Sequence, residues 1–158
     1  MSSWIDDLKE QDEQQKKAIA NFNAIRLHNA VVVHAKAPGL WTLLIAQIEA
    51  DLMQLSEIFP NDLGRQCELI KRSHSYILQG RKLPFTILKL VLNLDAGCVC
   101  ISKGYKQDFA DRPVLMPLKP IDFKVTQDED VIFFWRDREY IDPSALSEQF
   151  VRMVCGIH

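Results

Sequence analysis

Cys98–Val99–Cys100, inside LDAGCVCISKG (residues 94–104), is the tightest pairing of metal-capable or redox-capable side chains in the chain. Two residues apart on a strand, both sulfurs point to one face with Cα atoms about 6.5–7 Å apart. That spacing is at or beyond the limit for an unstrained disulfide. Zinc would need two further ligands, and the turn-borne Cys-x2-Cys spacing that usually supplies a pair is absent. Cys67, His74 or Cys155 could join only if strand order brought them there. Cysteines 98 and 100 therefore read first as small apolar strand residues, with a metal site as the weak alternative.

Other chemistry has less support. His74 sits between Ser73 and Ser75, but sequence neighbours on a strand face opposite ways, and there is no Gly-x-Ser-x-Gly elbow. His28 and His34 are six apart, a spacing that misses the shared face of a helix. Asp128–Glu129–Asp130 lacks the ordered spacing of a calcium loop and reads as a solvated hairpin tip. No Gly-rich phosphate loop occurs among the six glycines. KGYKQDFA (103–110) begins like an RNA-stacking motif, then departs from it at Lys106 and Gln107. No catalytic constellation emerges, no cofactor is implied, and a non-enzymatic role is favoured.

Composition supports this. The 158 residues are 47% apolar and 25% charged with a net charge of −2, which suits one soluble globular domain over 1–158 and no polyanion partner. Acid stands near the N-terminus where a signal peptide would carry base, and LWTLLIA (40–46) is far short of a membrane span. The expectation is a cytoplasmic protein with four reduced cysteines and no membrane contact.

The elements that must position these residues follow from periodicity. Ser3 with Asp6 forms a capping-box pair opening a helix. Apolar residues recur at Trp4, Ile5 and Leu8 and again at Ala18, Ile19, Phe22 and Ile25, whereas KEQDEQQKK (9–17) has none and can only lie in solvent. AVVVHA (30–35) is read as helix, with strand as the alternative. Ala37–Pro38–Gly39 breaks the chain, and a second helix starts at Pro38. Its stripe is Trp41, Leu44, Ile45, Ile48, Leu52, Leu55 and Phe59.

From Cys67 the period becomes two. Strands are predicted over 67–72, 75–79, 85–94, 98–105, 121–125 and 131–135, with tight turns at 95–97, 126–130 and 136–139. Thr86, Leu88, Leu90, Leu92 and Leu94 form a core face, and the opposite face is half covered. Asp142 and Pro143 open the last helix, and Gly156 stops it. The fold class is α+β: two or three N-terminal helices, an antiparallel sheet of about five to six strands in meander order, and a C-terminal helix on the sheet.

The irregular segment KQDFADRPVLMPLKP (106–120) is too apolar to lie free in solvent. It is either a Pro-blunted edge folded on the sheet or a surface for another chain or ligand. Contact residues would be Tyr105, Phe109, Arg112, Leu115 and Met116. The expected function is a protein-interaction module acting as a homodimer, with a further protein partner open. The alternative is a small-molecule binder or enzyme with a pocket between the first helix and Lys89, Asn93 and Lys103.

Overall fold

A computed structural model describes Ser3–Ile157. Helix α1 runs unbroken over Trp4–Ile58, capped by Ser3, whose hydroxyl accepts from Asp6 N–H while the Asp6 carboxylate accepts from Ser3 N–H. Residues 30–35 are helical, as expected. The expected break at Pro38 does not occur, so one long helix replaces the two or three predicted. An interior proline loses a backbone hydrogen bond and costs about 3 kcal/mol locally. Tertiary burial outweighs it: Val33 and Ala37 before the proline and Leu44 and Ile48 after it lie on one face, all buried in the core.

The strands are β1 (Cys67–Lys71), β2 (Tyr76–Gly80), β3 (Phe85–Asn93), β4 (Cys98–Lys106), β5 (Met116–Pro117), β6 (Ile121–Val125), β7 (Val131–Trp135) and β8 (Arg138–Tyr140). They form one antiparallel meander in the order β1-β2-β3-β4-β6-β7-β8, with β5 paired to β4 beside β6. Eight strands replace the five to six predicted. The additions are short: β5 has two residues, and β8 was hidden in the expected 136–139 turn. That turn is only Arg136–Asp137, both at positive φ, which matches the twist of a two-residue hairpin and frees Arg138 to pair with Trp135.

Helix α2 (Pro143–Cys155) starts at Asp142, which accepts from Ser144 N–H, and ends at Gly156 in the left-handed conformation. Both helices cover the same sheet face, α1 over β6 and β7 and α2 over β2 and β3. The core joins Leu88 and Leu90 with Val99, Ile101, Phe133, Trp135, Leu146 and Phe150. Buried Trp135 donates its indole N–H to Lys119 O at 3.0 Å and meets Phe150 edge-on at 5.4 Å, so its polar edge is satisfied.

Two expectations about polar and sulfur groups are corrected. Cys67 and Cys155 are joined as a disulfide between the start of β1 and the end of α2, rather than reduced. The acidic tip 128–130 is not merely solvated. Lys36 of α1 donates to Glu129 O at 2.6 Å and faces Asp130 at 3.3 Å, while His28 Nε2 meets Glu129 Oε1 at 2.7 Å. The β6–β7 tip is thereby fastened to the helix.

Candidate interaction surfaces

The N-terminal half of α1 is an arm. Every residue from Ser3 through His28 is exposed, and the first polar contact with the body is the one His28 makes with Glu129. At about 1.5 Å per residue the free stretch 4–27 extends some 36 Å. It carries Trp4, Ile5, Leu8, Ile19, Phe22 and Ile25, all exposed. These residues were visible in the sequence as two apolar groups flanking a polar run. What the sequence withheld was that, among the described residues, none covers them.

The hydropathy of α1 has a second source. α1 is long and apolar enough to cross a membrane, and a third of its most apolar stretch is buried. The burial belongs to side chains such as Val32, Val33, Leu44 and Ile45 that α1 sets in the core.

At the other predicted surface, the five named residues do not converge. Leu115 is half-buried on Gly104 of β4, where a Cβ would stand 2.6 Å from Leu115 Cδ2. Met116 pairs with Lys103 and so lies on the opposite face, the side of β4 that also carries Tyr105. Tyr105, Phe109, Arg112 and Met116 are exposed. The segment is thus in large part a structural edge: Leu118 N–H donates to Ile101 O at 2.8 Å, and only its outward side chains remain available to a partner.

Cys98 and Cys100 do share a face, sulfurs 4.0 Å apart, Cys98 buried and Cys100 exposed. Burial pushes the Cys98 thiol up to about 11, and neighbouring Cys100 and Asp122 push the same way. A nucleophilic or ligating cysteine needs the opposite shift. Among the described residues no group of three His, Cys, Asp or Glu side chains could hold a metal.

Nor do Lys89, Asn93 and Lys103 line one pocket. Lys89 pairs with Ser102, and Lys103 pairs with Leu88, which puts the two lysines on opposite faces. The cleft that does lie between α1 and the sheet, about 710 Å³, is bounded by Arg26, Asn29 and Val33 on the helix, the turn 94–97 and Lys124 of β6. A second, about 480 Å³, runs between α1 and α2 beside Asp51, Leu55 and Arg152. Compared with protein-family models, curated proteins and solved structures, the chain matches none.

Proposed function

We propose that this protein is a non-enzymatic interaction module that assembles with itself through the helical arm. The observation that carries the reading is the arm's exposure: six large apolar side chains on the N-terminal stretch of α1, where every residue from Ser3 through His28 is exposed. An isolated helix gains stability mainly by burying such a face, and exposed apolar groups of this size mark contact sites. The outward side chains of Tyr105, Phe109 and Met116 are available to a different protein partner.

Native mass spectrometry of the full chain and of Phe22→Asp tests it. The expected result is a dimer for the parent and a monomer for the variant, with unchanged circular dichroism in the sheet region. A monomeric parent, or a variant that stays dimeric, overturns the proposal. Small-molecule binding is the second reading, favoured by the cleft of about 710 Å³ beside Arg26 and Lys124. A retained organic mass that disappears in Lys124→Glu would support it over the first.

A further inference from the structure

The arm's pattern specifies how two copies would meet. Trp4, Leu8, Gln11, Gln15, Ala18, Phe22 and Ile25 follow one another at alternating steps of four and three, a seam with the 3.5-residue period of a coiled coil. Apart from Ile25, the seam is symmetric about residue 13. Run antiparallel, two arms place Trp4 of one copy against Phe22 of the other, Leu8 against Ala18, and Gln11 against Gln15. In these pairs each apolar residue meets an apolar one, and each glutamine amide meets another that can both donate and accept.

A parallel pairing would also align like with like, so charge and flanking residues decide. Residues 6–13 hold Asp6, Asp7, Glu10, Asp12 and Glu13 against one Lys9, whereas 14–26 hold Lys16, Lys17 and Arg26 and no acid. The antiparallel arrangement sets the acidic half of one arm on the basic half of the other. The parallel one stacks acid on acid and adds two Asp7–Asp12 repulsions. The antiparallel pair has one such contact, between the two Asp12 side chains, and it alone brings Ile5 beside Ile19, twice over.

Length fits as well. Ser3 of one copy would lie level with residue 23 of the other, just short of His28, where the body begins. The overlap therefore covers residues 3–23 of each arm and stops before the body. Trp4 and Phe22, 74% and 65% exposed, would bring on the order of 500 Å² of aromatic surface from two copies into the seam. Ile5, Leu8 and Ile19 of both copies add to this, toward the roughly 1,000 Å² a specific interface needs.

We infer that the occupant of the arm's apolar face is the arm of a second copy, antiparallel, with its two-fold axis at residue 13. This rests on the self-assembly proposed above. The test is distance measurement between spin labels at single cysteines placed at residues 6, 13 and 20, in the full chain carrying Cys98→Ala and Cys100→Ser. The expected separation is shortest at residue 13 and grows equally toward 6 and 20, by about 3 Å for each residue of displacement. Equal separations at all three positions mean parallel arms and overturn this register, while self-assembly through the arm stands. A dimer mass without coupling between labels overturns both the register and the arm as interface. A monomer overturns self-assembly itself.

Discussion

Leu115 and Gly104 touch because Gly104 has no side chain: a Cβ there would lie 2.6 Å from Leu115 Cδ2. Gly80 stands in a similar relation to Phe85, with a Cβ contact of 2.7 Å. The two differ in what could move.

Leu115 can swing its terminal methyl, whereas the Cβ of Phe85 is fixed to the β3 backbone. Gly80→Ala is therefore expected to cost more than Gly104→Ala, both within the roughly 1–3 kcal/mol of overpacked sites. Urea unfolding of the two variants checks the order. In the same assay Leu115→Asp should destabilise, while exposed Met116→Asp should stay within about 0.5 kcal/mol of the parent.

Ser147 is fully buried on α2 and donates to Asp51 Oδ2 of α1 at 2.6 Å, and Gln47 donates to the other oxygen at 2.9 Å. Removing the hydroxyl leaves Asp51 with a partner, so Ser147→Ala should cost about 1 kcal/mol. Asp51→Ala strands a buried hydroxyl and should cost more, about 1–3 kcal/mol. A double-mutant cycle by thermal unfolding gives the coupling.

The Cys67–Cys155 link closes a long loop, 88 residues apart in sequence. Thiol titration of the denatured, unreduced chain should find two free thiols, Cys98 and Cys100. Cys155→Ser should lower stability by about 2–5 kcal/mol. Four free thiols in the freshly purified protein would overturn the pairing.

The Cys98 thiol ionises near 9.0 when unfolded but only at about 11 in the fold. Its stabilising contribution is thus whole below pH 9 and is lost as pH rises through 11. Cys98→Ala should flatten stability across that window in pH-dependent unfolding. At pH 8, iodoacetamide should modify exposed Cys100 and spare Cys98.

Local patterns in the sequence carried most of the elements. The Ser3 and Asp142 caps, the Leu88/Leu90 core face and the 95–97 turn depend on residues within a few positions of one another, and each is found where the period or cap motif puts it. The two apolar groups of the arm were equally legible, because a helix face is written at three- and four-residue steps.

Only the tertiary structure decided the rest, because each outcome depends on partners distant in sequence. Pro38 stays helical because Ala37 and Leu44 on either side of it are buried in a core built largely by the sheet and α2, far along the chain. Cys67 meets Cys155, and Cys98 does not join them, through strand order. Leu115 turns onto one sheet face and Met116 onto the other through the short β5 pairing. Above all, a stripe such as Trp4–Leu8–Phe22 has the same sequence whether covered or bare. Its exposure follows from where the body ends along α1, at His28 and Lys36, which meet the β6–β7 tip.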